Sequence, residues 1–338
     1  MTSSRKRVLG VLKAAVSVAL LAWVLHSAFA RDGVAALGAR LASIDALAVA
    51  LAVLLHFASV ALGVWRWELL LRARGLVLRR AFLAQTYLVG RFAAAFTPST
   101  AGLDVVRAIA VGRATGRSAV SASVVAIEKA VGVLGLACVC ALLALGGGEV
   151  LPRGPALFVA LCAALGAGVG LALLARPARL APLLRVLPSG VRARAGKLID
   201  ALPAGGLAPS ILLRAVLLSL GGHLCVSAVF VATGRALGVS VSDVTLLVVG
   251  NAIVVATLLP ISIAGVGVRE GVAVVLLARV GVSAGDATLL ALLGYLSGQL
   301  PAIGGALLTL LPAPLASVAA SVPRLTPDHA SASARLPL

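Results

Sequence analysis

The sequence predicts an all-α polytopic membrane protein with about six full transmembrane helices and two re-entrant helical hairpins arranged as an inverted repeat. Three observations lead there. The 338-residue chain is 61% hydrophobic and 12% charged, and its apolar runs reach the roughly 20 residues that cross a hydrocarbon core. The net charge of +18 sits in short basic segments between those runs, the positive-inside pattern of cytoplasmic loops. It does not form the basic domain or aromatic-interleaved groove of a nucleic-acid binder. Finally, two apolar segments carry proline, glycine and charge at the same separation, Pro98 to Arg107 and Pro260 to Arg269.

Apolar runs suited to full crossings cover residues 8–30, 44–64, 118–145, 155–175, 209–233 and 286–311. The first has a basic start and an Ala-x-Ala-like end at Ala28 to Ala30, as a signal peptide does. Its apolar stretch exceeds the ~7–15 residues of a signal core, so it reads as an uncleaved first span. Basic segments at 4–7, 66–80, 107–117 and 176–197 read as cytoplasmic, which places both termini in the cytoplasm of a cell-membrane protein. In "WRWELLLRARGLVLRR", Trp65 and Trp67 beside basic residues read as an interfacial anchor. Cys138, Cys140, Cys162 and Cys225 lie in apolar runs without zinc-ligand spacing and read as small buried side chains. The Ala-, Ser- and Pro-rich stretch 312–338 reads as disordered, leaving one transmembrane domain over 1–311 with halves of about 8–145 and 155–311.

Parity supplies the hairpins. If 66–80 and 107–117 are both cytoplasmic, the segment 81–106 crosses an even number of times, and it is too short for two full spans. It must turn back inside protein or a wet cavity, where irregular backbone is tolerated. The same count over 244–280 gives a second hairpin entering from the other side, and an odd number of crossings per half makes the halves opposite in orientation.

Charges inside a bilayer are costly and mark functional candidates. Here they are Arg91, Asp104, Arg107, Glu128, Lys129, Arg214, Arg269 and Glu270, with His223 read as a packed or hydrogen-bonded helix residue. Asp104 and Arg107, three residues apart, share a helix face and can pair. Glu128 lies roughly 15 Å into its span, near mid-depth, and Arg107 or Arg269 is its economical partner. Arg269 and Glu270 diverge by about 100° on a helix and serve different partners. Pro98 with Gly102, and Pro260 with Gly265 and Gly267, break and turn the two hairpins. The freed N–H groups of the outgoing half-helix then offer an anion site, to which Arg269 adds a planar fork suited to phosphate.

The segments "LPISIAGVGVREG", "TPSTAGLDVVRA" and "AIEKAVGVLGL" resemble the signatures of the lysylphosphatidylglycerol synthase transmembrane-region family, also called flippase-like proteins, over about residues 8–311. Ala101 and Ala264 depart from the family's usual glycines and Lys129 from its more common arginine. The resemblance implies transport of polar lipids between leaflets. It also implies that the soluble aminoacyl-transfer domain of the family's larger members is missing here.

The expected function is therefore a flippase or related transporter of a phosphate-containing polar lipid, a phospholipid or a polyprenyl-phosphate-linked one. Its substrate-binding residues are Pro98, Gly102, Asp104, Arg107, Glu128, Lys129, Pro260, Gly265, Gly267, Arg269 and Glu270. Expected partners are membrane lipids with anionic headgroups, and a separate lipid-modifying enzyme is a further candidate. No cofactor is expected: the chain has no G-x-x-x-x-G-K-[ST] nucleotide loop and no H-E-x-x-H zinc motif, and its aspartates are isolated. The same absences weigh against enzymatic activity. The alternatives are an integral-membrane transferase acting on a lipid-linked substrate and a scaffold that recruits a soluble partner.

Overall fold

A computed structural model describes residues 42–97, 101–146, 149–176, 206–258, 262 and 265–310, with isolated positions between 22 and 40 and between 188 and 196. The expected first span, the basic connection 177–187 and the tail from 311 lie outside the described residues, as do Pro98 and Pro260. The ordered elements are all helical: α1 (Ala46–Ala73), α2 (Arg80–Ala94), α3 (Ala101–Thr115), α4 (Ser118–Gly146), α5 (Arg153–Ala175), α6 (Pro209–Ala236), α7 (Asp243–Leu258), α8 (Val268–Leu277) and α9 (Ala284–Thr309).

Five of these, α1, α4, α5, α6 and α9, are long and apolar enough to cross a membrane, and each coincides with one of the expected spans. The protein is thus a multi-pass α-helical membrane protein. The other four are short. At ~1.5 Å per residue, α2 and α3 reach about 22 Å, α7 about 24 Å and α8 about 15 Å, all less than the ~30 Å hydrocarbon core. They pack as two pairs, α2 on α3 and α7 on α8.

Local chemistry sets the ends of these helices. Asp45 accepts from the Leu47 N–H at 2.8 Å and caps α1, and Ser283 accepts from the Asp286 N–H at 3.0 Å and caps α9. Pro209 opens α6, where its missing N–H costs nothing. Thr97 accepts from the Gly102 N–H at 2.9 Å across the first hairpin turn, so α3 begins with a side-chain cap.

Small residues set how closely the helices approach. A Cβ on Gly102 would lie 2.6 Å from the Ala93 carbonyl carbon, so only glycine permits the α2–α3 contact. Gly102→Ala is expected to lower the unfolding temperature in detergent through an overpacking cost of about 1–3 kcal/mol. An unchanged melt would show that the hairpin legs part freely. On α9, Gly294 faces Phe230, Gly298 faces His56 and Gly305 faces the α2 backbone at Leu88, which lets a spanning helix lie against a hairpin leg.

Two apolar cores result. One gathers Trp67, Leu71, Leu83, Val111, Ile127 and Val131 around the first hairpin, and the other gathers Phe230, Leu246, Ile253, Ala273, Leu277 and Leu290 around the second. The spans cross-brace them: α9 packs on α2, α4 packs on α7, and α1 lies along α6. The α1–α6 pair is antiparallel, with Ser59 beside Gly222, Leu62 beside Gly221 and Arg66 bonded to Ser219.

Candidate functional site

A charge cluster stands on the first-half side. Glu128 on α4 is 3% exposed and Arg107 on α3 is 2% exposed. Arg107 Nη2 donates to Glu128 Oε2 and to Asp104 Oδ1, each at 2.9 Å. Arg66 on α1 donates through Nε to Glu128 Oε1 at 3.0 Å and through Nη1 to Ser219 Oγ at 2.8 Å. Lys129 Nζ donates to Asp104 Oδ2 at 2.7 Å. Glu128 is therefore held by two guanidinium groups, which join α1, α3, α4 and α6 through one carboxylate. Arg107 Nε and Nη1 have no hydrogen-bond acceptor among the described residues. Instead the guanidinium lies 5.3 Å from the Trp67 ring centroid and 5.0 Å from that of Tyr87, where the negative ring faces offset part of its lost hydration.

The second hairpin is built differently. Gly265 and Gly267 adopt φ of 76° and 80°, a region where a side chain is strained, and they turn the chain into α8. The Gly267 N–H donates to Glu270 Oε2 at 2.7 Å, so the half-helix start is capped by its own carboxylate. Glu270 thus occupies the N–H of the residue that precedes the half-helix. Arg269 stacks 4.3 Å from the Tyr295 ring centroid on α9, and its Nη1 lies 3.8 Å from Glu270 Oε1. That contact is too long for a strong bond.

Between the two cores lies a cavity of about 400 Å³. Its wall carries Arg66, Arg91 and Arg269 with His56, His223, Tyr295 and Gln299, and no carboxylate is among the lining residues. Arg91 Nη2 donates to the Gly298 carbonyl at 3.3 Å, and His56 Nε2 lies 3.1 Å from the Gly294 carbonyl. The α9 turn 294–298 thus collects Arg91, His56 and Arg269. On the other wall His223 Nε2 lies 3.0 Å from the Gly132 carbonyl, beside the Arg66–Ser219 bond. Three guanidinium groups on one wall, with no carboxylate among the described lining residues, supply donors of the kind that bond anions.

The expected residues divide accordingly. Asp104, Arg107, Glu128 and Lys129 meet in one network, whereas Arg269 belongs to the cavity wall and does not reach Glu128. Gly102 serves the close approach of α2 and α3. Arg214 stays on the outer face of α6, apart from the Glu128 network and the cavity, and shares a groove with Glu68, Arg72 and Arg80. Trp67 is no anchor: it is fully buried while Trp65 is 50% exposed, because successive residues on a helix point about 100° apart. Arg66 was expected in a cytoplasmic loop, yet α1 continues to Ala73 and its side chain turns inward to Glu128. A signal existed for it: His56, Ser59, Gly63 and Arg66 recur at helical spacing in an apolar run and form one cavity-facing stripe.

Among known families, the model described as lysylphosphatidylglycerol synthase TM region matches residues 10–305. No curated protein matches the chain.

Proposed function

Since the chain belongs to the lysylphosphatidylglycerol synthase TM region family, we propose that it moves a phosphate-containing polar lipid between the leaflets of the cell membrane. The observation that carries this reading is the cavity lined by Arg66, Arg91 and Arg269 without a carboxylate. A headgroup phosphate there exchanges its hydration for guanidinium hydrogen bonds, while the acyl or prenyl tails stay in lipid. At about 400 Å³ the cavity suits a headgroup and not a whole lipid.

Alternating access follows from the two halves. In an inverted repeat, one hairpin and its bracing span close the cavity on one side, and the equivalent pair closes it on the other. The reciprocal packing of α9 on the first hairpin and α4 on the second supports this arrangement. Basic residues at the ends of α1 and α3, Arg72 and Arg113, support a cytoplasmic location of those ends.

The test is leaflet exchange in liposomes of fluorescent phosphatidylglycerol and a polyprenyl phosphate, without nucleotide. Exchange faster than in protein-free liposomes is expected for at least one of them. No exchange across the panel, with a new lipid product formed when a soluble donor is added, would instead establish the transferase.

A further inference from the structure

The geometry points to a second lipid site on the outside of the α1–α6 seam, where an anionic glycerophospholipid docks before its headgroup enters the cavity, with Leu218 as the gate. A groove of about 660 Å³ runs there. One end is basic. Arg72 and Arg80 both bond Glu68, at 2.7 Å and 2.9 Å, so two cations share one carboxylate. Arg214 adds a third cation, exposed, with no ion-pair partner among the described residues. The other end is apolar, floored by Leu62 and by Leu217, which is 56% exposed. Trp65 stands between the two and is itself half exposed.

Cations at one end and an apolar channel at the other match one phospholipid, phosphate up and acyl chain along the helices. The basic end lies at the last turn of α1 and near the start of α6, so the lipid comes from the leaflet on that side. Leu218 lines both this groove and the central cavity. Arg66 and Ser219 lie immediately behind it. A phosphate that passes Leu218 therefore meets Arg66. The gate rests on the transport reading, whereas the docking site does not.

The test uses the full chain in phosphatidylcholine nanodiscs doped with phosphatidylglycerol carrying brominated acyl chains, which quench a tryptophan they touch. Trp65 is the reporter and Trp65→Phe gives the background. Brominated phosphatidylglycerol is expected to quench at lower mole fraction than brominated phosphatidylcholine. Arg214→Ala is expected to reduce that preference about fivefold, the worth of one arginine near an anionic lipid. Equal quenching by the two lipids, or an unchanged preference in Arg214→Ala, overturns the site.

For the gate, Leu218→Phe is expected to slow exchange in liposomes and Leu218→Ala to speed it. Exchange unaffected by both overturns the gate. Wild-type protein that quenches selectively yet exchanges no lipid overturns the transport reading while supporting the groove as a lipid site.

Discussion

Glu128→Ala is expected to be the most damaging single change to the stability of this protein. The carboxylate is the only anion within ion-pair distance of Arg66 among the described residues, and it is one of two for Arg107. Removing it leaves a guanidinium group with 2% exposure short of its nearest counter-charge in an apolar core. Breaking a buried pair in this way costs about 3–5 kcal/mol, much of it the penalty of the stranded charge. The measurement is thermal unfolding in detergent, followed by circular dichroism. Pairing Glu128→Gln with Arg107→Met removes opposite charges together and is expected to recover part of the loss. Arg66→Met gives the matching double variant on the α1 side. A Glu128→Ala protein that melts with wild type would mean that water reaches the network and carries the charge.

Arg269→Lys is expected to have the opposite profile, a folded protein with defective lipid exchange. An ammonium keeps the charge but supplies neither a plane to stack on Tyr295 nor two parallel N–H donors for a phosphate. Losing one charge-assisted hydrogen bond of about 1.5–3 kcal/mol corresponds to a roughly tenfold to hundredfold fall in exchange when lipid is limiting. Glu270→Gln serves as the comparison. Its amide oxygen still accepts from the Gly267 N–H, so the turn into α8 keeps its cap while the negative charge beside Arg269 is lost. Stability in detergent and exchange in liposomes are read on the same preparations. Parallel loss of both in Arg269→Lys would make the residue a brace between α8 and α9. Wild-type exchange in both variants would remove this hairpin from the mechanism.

The first hairpin contributes both to the buried network, through Arg107, and to the cavity wall, through Arg91. Arg107 and Arg269 occupy equivalent places after their prolines, and both face aromatic rings. Arg107 is bonded to Asp104 and Glu128, whereas the Arg269 guanidinium lies over the Tyr295 ring and lines the cavity. The two matching positions thus have different surroundings, a charge network in the first half and a cavity wall in the second. Arg66 belongs to both settings, since it lines the cavity and holds Glu128.

The sequence by itself determined the membrane class, the positions of the five long helices, with α1 longer than its apolar run, and the presence of two pairs of short helices. Those properties depend on local quantities: the length of an apolar run against bilayer thickness, and the inability of proline and paired glycines to continue a helix. The Asp104–Arg107 pair was equally legible, because a separation of three fixes a shared face. Only the tertiary structure decided which cation meets Glu128, since Arg66, Arg107 and Arg269 come from three helices and their sequence separation says nothing of which helices touch. It alone placed Arg91 and His56 on the α9 turn 294–298, and it turned Trp67 inward and Trp65 outward. In a bilayer, apolar faces do not distinguish neighbour from lipid, so helix pairing rests on small-residue contacts and on buried polar partners. Both are properties of two chain segments at once, and a single segment read along its length contains neither.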